Sequence, residues 1–489
     1  MKKKYIILSI ITLVLLIAFV TSFNYFKTTN TYVENNSNNQ TKITKGISMN
    51  LEQTAGAGDY KQVTQSSWPT EGYKFNAELS KCENGGEISW DDTKKAVIVS
   101  GNLSDKCYVY FDIYQLTLAE YIKSQYTGTQ GDNALYYHNS TLTNGAGDNS
   151  YRYAGGDYVL TEAGKATGAT MMIGYNNSVT TALIDFYCNG TKQYVGYASS
   201  CSTSHYYLIK GDTTQYQTYN EALNASVEKG YLTKDNVKNF VCFGSDATTC
   251  PTENLYRIIG VFNNHVKLIK YDYAKSSLLG TDGDFSQEYT SNYFSGEQGE
   301  SPSSNSLYYW NNAGTNTWSA SKLNTVNLNT NFTTNIGTAW ANKIATTTWK
   351  VGGGTYANLR DAVPKTAYQY EVGSSASTTT YDAKIGLMYV SDYYYSASPS
   401  AWTLVGYNSD YTKSYASAKG ENWLYGGGWD WTISRSSGGS SFAFGVRGYG
   451  GVDYLNVLDY IGVRPSFSLL SSTTYVSGSG SMSDPVRIN

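Results

Sequence analysis

Histidine and proline are scarce in this chain of 489 residues, three and seven in all, and charged residues make up only 15%. His138, His205 and His265 stand at no ligand spacing from a cysteine pair, which argues against a zinc site. No Gly-x-Ser-x-Gly elbow, His-Glu-x-x-His helix or Walker-type loop occurs, so the common serine-hydrolase, metalloprotease and nucleotide-hydrolysing signatures are excluded. A net charge of -3 without any long basic run leaves no electrostatic footprint for nucleic acid. Cysteine is absent beyond Cys250, and residues 484–489 form a polar end without a sorting motif or apolar tail.

What is present begins with Lys2, Lys3 and Lys4, followed by an almost unbroken apolar run over residues 5–23. The run approaches the ~20 residues a helix needs to span a bilayer, and the lysines favour a cytoplasmic N-terminus. Residues 1–23 are therefore expected to be a signal anchor, with the rest outside the cell membrane. Val20-Thr21-Ser22 offers a cleavage site, in which case the protein is secreted.

Tyrosine and glycine each number 47. Low charge with so much aromatic area reads as a folded, β-rich exterior protein instead of a disordered one. The six cysteines fall in sequence as close pairs, and nearest-neighbour disulfides Cys82–Cys107, Cys188–Cys201 and Cys242–Cys250 are expected in an exported chain.

The expected fold class is α+β and β-rich, in five segments. After the anchor, residues 24–67 read as a polar stalk and residues 68–114 as a small β module with strands near 95–100 and 106–113. Residues 115–250 are a mixed, disulfide-containing region with helices near 117–124 and 219–229, in which the stretch between 155 and 239 has the look of an insertion. Residues 251–489 hold eight of the ten tryptophans and open with a hairpin turning at Asn263-Asn264.

Trp318, Ser321, Leu323, Leu328, Asn329 and Phe332 come in that order, then a strand-like KIGLMYVSD at 384–392. Next come Asn422-Trp423-Leu424-Tyr425, Trp431-Thr432-Ile433-Ser434, residues 443–447, and Gly462-Val463-Arg464-Pro465 before the apolar 467–470. This order resembles a family of exported, Firmicutes-type cell-surface domains, itself similar to the C-type-lectin-like fold shared with formylglycine-generating enzymes. The resemblance covers roughly residues 255–489 and implies a C-type-lectin-like domain there. It does not carry over the enzymes' cysteine oxidation, because the late cysteines are missing, and the sugar-calcium motif of true C-type lectins is missing too.

Trp318, Trp423 and Trp431 read as core, and Arg464 with Pro465 as an anchor for buried carbonyls or a carboxylate at a strand edge. His265 reads as a plain strand residue. Tyr, Ser, Gly and Asn are the residues of adaptable binding loops, so Tyr393, Tyr394, Tyr395, Tyr407, Tyr411, Tyr415 and Trp429 are the candidate ligand contacts. Asp282-Gly283-Asp284 offers oxygens for Ca2+ or makes a plain turn; no other cofactor is expected. Asp382, Asp392, Asp430 and Asp453 are the acids from which a glycoside hydrolase would draw its pair. The expected function is a cell-surface, non-enzymatic binding or adhesion protein whose partner is a glycan or a protein. The alternatives are a structural envelope protein and, third, a surface glycan hydrolase.

Overall fold

The computed structural model describes residues 46–489 apart from 65–66, 70–71, 103–104, 174–181, 194–200, 202, 235 and 290–304. The expected anchor at 1–23, its cleavage site and the first part of the expected stalk lie outside the described residues. Among the described residues no helix is long and apolar enough to cross a membrane. The fold is mixed α+β and strand-rich, and it divides into two units, residues 1–115 and 116–489.

In the first unit Ile47–Glu52 lies inside a four-stranded sheet, between Tyr60–Val63 and Cys107–Ile113, with Tyr73–Cys82 at the far edge. The expected stalk boundary at residue 67 is thus corrected: the apolar alternation of Met49 and Leu51 buries both side chains, and the strand pairs in parallel with Cys107–Ile113. A second hairpin, Glu87–Asp91 with Ala96–Ser100, supplies Val97 and Val99 to the same core, where Trp90 meets Phe111 edge-on at 5.6 Å. Cys82 and Cys107 are cross-strand partners joined by a disulfide.

The second unit is built on a seven-stranded sheet. Its order runs Ile385–Gly386, Ser466–Ser468, His265–Lys270, Leu255–Phe262, Tyr151–Tyr153 and Leu135–Tyr137, while Phe240–Cys242 pairs with the first half of Leu255–Phe262. Asn263 and Asn264 adopt φ of 48° and 65°, the conformation a tight two-residue hairpin turn requires. Gly260 must lack a Cβ, since one would come within 2.3 Å of the Tyr151 carbonyl on the neighbouring strand. Helix Leu118–Ser124 starts with a capping box between Thr117 and Glu120.

Because Tyr151–Tyr153 and Phe240–Cys242 both join this sheet, the expected border at residue 250 does not exist; 116–489 is one unit. The stretch between those strands forms a subdomain with its own core of Leu183, Ile184, Phe186, Tyr207, Ile209 and Leu223. Tyr158–Leu160 pairs with Leu232–Lys234 at its neck, and helix Tyr219–Glu228, again started by a capping box, packs on its sheet. Disulfides Cys188–Cys201 and Cys242–Cys250 lie within and just after it. Residues 473–489 close the unit: the Leu118 amide donates to the Thr473 carbonyl at 2.8 Å, and the Cys242 amide donates to that of Val486 at 3.0 Å.

Arg257 holds the neck. From the central strand its guanidinium reaches both oxygens of Asp157 at 2.7 Å, on one side of the neck. It also reaches the Val237 carbonyl at 3.0 Å and the Asn239 side chain at 2.6 Å on the other side. Phe240 and Trp423 cover its faces at 4.1 and 4.8 Å. Lysine cannot reproduce this fork. Arg257→Lys is expected to lower unfolding free energy by about 3 kcal/mol and to raise hydrogen exchange at 158–160 and 232–234. Urea titration and exchange mass spectrometry check both; a loss below about 0.5 kcal/mol would remove the clamp from this account.

Candidate functional site

The tyrosines expected to contact a ligand divide sharply. Tyr393, Tyr394 and Tyr395 sit on the short helix Val390–Tyr395 and are no more than 1% exposed, which corrects their expected place in a binding loop. Their hydroxyls donate to the carbonyls of Gly450, Leu359 and Asn144 at 2.8, 2.7 and 3.1 Å. Tyr415, equally buried, donates to the Tyr394 carbonyl at 2.9 Å. The physical reason is that irregular loops buried around this helix leave carbonyls without partners, and a phenol supplies both filling and a donor.

Tyr407 and Tyr411 remain exposed at 37% and 41%, and Trp429 is half-buried. One ion network ties two of them together. Asp453 bridges Arg360 at 3.5 Å and Arg447 at 3.0 Å; Arg360 faces the Tyr407 ring at 5.4 Å and Arg447 faces Trp429 at 4.9 Å.

The acids expected of a hydrolase are engaged separately. Asp430 is buried against Arg464, whose Nε donates to it at 2.6 Å, and burial pushes its carboxyl up to about 6. Asp392 pairs with Lys267 at 2.5 Å and accepts the Tyr389 amide, while Asp382 accepts from Thr348 at 2.6 Å. Arg464 also donates to the Leu424 carbonyl at 2.6 Å. Pro465 is buried, and it immediately precedes the interior strand Ser466–Ser468 instead of lying at a sheet edge; its carbonyl accepts the Lys270 amide at 2.9 Å. Trp318, Trp423 and Trp431 are buried. Asp284 accepts the amides of Asn312 and Leu323, and Asp282 accepts from Asn331, so these oxygens hold the loop together. Among the described residues no cluster of three or more His, Cys, Asp or Glu is placed to hold a metal ion.

The open site is elsewhere, in a cavity of about 630 Å³ between the subdomain and the main sheet. The subdomain contributes Tyr158, Asn220, Asn224 and Lys234; the sheet contributes Phe240, Tyr256 and Lys270; the loops add Tyr271, Asn335, Trp423 and Tyr425. Residues from 157 to 482 converge here, which is why no sequence motif marks the place. Aromatic rings and side-chain amides share the lining with charged side chains, a composition that suits a small polar ligand.

Lys270 stands out in this wall. Only 4% exposed, it donates to the Glu253 carbonyl at 3.0 Å, and burial pulls its ammonium down to about 8, slightly offset by Asp272 and Glu253. The sequence does carry a signal: HVKLIK is buried from its second residue onward, so its lysines stand at interior positions. Lys267 has its carboxylate; Lys270 has none within ion-pairing distance among the described residues.

A lysine whose folded value lies below its unfolded one destabilises the fold while charged. Between pH 8 and about 10 the unfolded chain binds more protons, so stability should rise with pH across that window. Lys270→Met is expected to abolish this rise and to raise stability at pH 7 by on the order of 2 kcal/mol, measured by urea unfolding at pH 7 and 10. A destabilised variant would show that the charge is already compensated.

No protein-family model, curated protein or solved structure matches the chain, so the reading of this cavity rests on its own chemistry.

Proposed function

We propose that this is an outward-facing, non-enzymatic binding protein that takes a saccharide in the cavity between its subdomain and its main sheet. The observation that carries the reading is the lining: tyrosine and tryptophan rings together with Asn220 and Asn224, and with Asn254 and Asn335 whose amides also donate to the Phe243 and Leu278 carbonyls, around about 630 Å³. Sugar rings offer C–H faces to aromatic planes and hydroxyls to amides, and a cavity of this size suits a small ligand. The outward location is supported by three disulfides and by the apolar run at 5–23, which would keep the protein on the cell membrane as a single-pass anchor or direct its secretion. A C-type-lectin-like origin for the residues after 251 belongs to the same reading and is supported by the order of its Trp, Asn and Arg-Pro motifs.

The test is a glycan array probed with the full chain in detergent, followed by titration of hits through tryptophan fluorescence, since Trp423 lines the cavity. Saturable binding is expected, weakened about tenfold by Asn224→Ala or Tyr271→Ala and unchanged by Tyr411→Ala. Well-folded protein that binds no glycan would transfer the cavity to a structural role.

A further inference from the structure

Burying an ammonium or guanidinium group is costly unless a counter-charge is buried with it. Of the six buried lysines and arginines of the second unit, Arg152, Arg257, Lys267, Lys270, Lys419 and Arg464, four sit in close ion pairs. Arg152 pairs with Asp148, Arg257 with Asp157, Lys267 with Asp392 and Arg464 with Asp430, all at 2.5 to 2.7 Å. Lys270 departs from this pattern. The side chain is as buried as theirs, yet among the described residues its ammonium donates to a neutral backbone carbonyl and to no carboxylate. Its remaining donor capacity belongs to a cavity wall, where the Tyr256 ring lies 5.7 Å from the ammonium. Setting aside Asp157 and Arg464, which are spent on internal pairs, the charged lining is Glu253 and Asp272 against Lys234, Lys270 and Lys275. Asp272 is partly committed as well, accepting the Tyr273 amide at 2.7 Å. The cavity therefore holds a surplus positive charge, with one member of it buried.

We propose that the ligand is an acidic saccharide whose carboxylate or phosphate is the missing counter-ion of Lys270. This inference rests on the saccharide reading and adds the sign of the ligand's charge to it. Stability lost by keeping a charged lysine in the wall is recovered when the anion arrives. A preformed cation in a partly apolar cavity also discriminates against neutral sugars, because their hydroxyls cannot neutralise it.

Calorimetric titration of the full chain with glucose, glucuronate and glucose 6-phosphate tests this. At least one acid is expected to bind about tenfold or more tightly than glucose, and the preference between the two acids identifies carboxylate or phosphate as the source of the anion. Lys270→Met should erase the acid preference and Lys234→Met should retain it. A second readout is independent of any variant's folding. An anion beside Lys270 favours its charged form, so binding near pH 8 should take up a fraction of a proton, seen by repeating the titration in buffers of different ionisation enthalpy. Equal binding of glucose and both acids, without proton uptake, would overturn the inference and leave the saccharide reading standing. Failure of all three sugars, with inorganic phosphate still raising the melting temperature of the native chain but not of Lys270→Met, would overturn the saccharide reading and leave an anion site on Lys270.

Discussion

The cavity exists because one guanidinium group holds the two sides of the subdomain neck to the strand between them. Arg257 sits on Leu255–Phe262, and four of its five N–H donors are spread over Asp157, Val237 and Asn239, residues that flank the excursion of the chain on both sides. Without that fork the two-stranded neck of three residues each would be the main tie between the subdomain and the sheet, and a pair so short is marginal alone. The aromatic cover on Arg257 comes from Phe240 and Trp423, which also line the cavity. The clamp and the site share a wall.

A second constraint explains the composition. Much of the second unit is irregular loop buried among other loops, where a carbonyl without a donor is expensive. Indoles and phenols supply those donors while filling space: Trp310 donates to the Thr432 carbonyl, Trp431 to that of Tyr308 and Trp402 to that of Ala397, at 2.9, 2.9 and 3.0 Å. Among the described residues twelve tyrosines are buried, and the densest run, Tyr393 to Tyr395, lies in the interior.

Local chemistry was legible in the sequence where it is self-contained. Asn263-Asn264 between two β-branched runs specifies a tight turn, the helical character near 117–124 and 219–229 is met by two helices whose starts Thr117 and Thr218 cap, and close cysteine spacing matches the three disulfides. The first strand was not legible, because Ile47–Glu52 is a short run in a polar neighbourhood and becomes a strand through its partners on either side. The KIGLMYVSD segment reads as a strand for the same reason in reverse. Only Ile385–Gly386 pairs, and the chain then turns into the helix that buries the tyrosines. The cavity was not legible at all, because its walls meet only in three dimensions.

The closing segment, residues 473–489, meets Leu116 and Leu118 at one end of the unit and Phe240 and Cys242 in its middle. Contacts between positions more than 350 apart in sequence cannot form until nearly the whole unit is available. If the segments that follow the anchor emerge in chain order, the early ones must wait outside with the sheet edge at Phe240–Cys242 uncovered. The order of export then sets the order of folding. The subdomain, with its own core and its own disulfide, is suited to fold during that wait, and the sheet around it completes last.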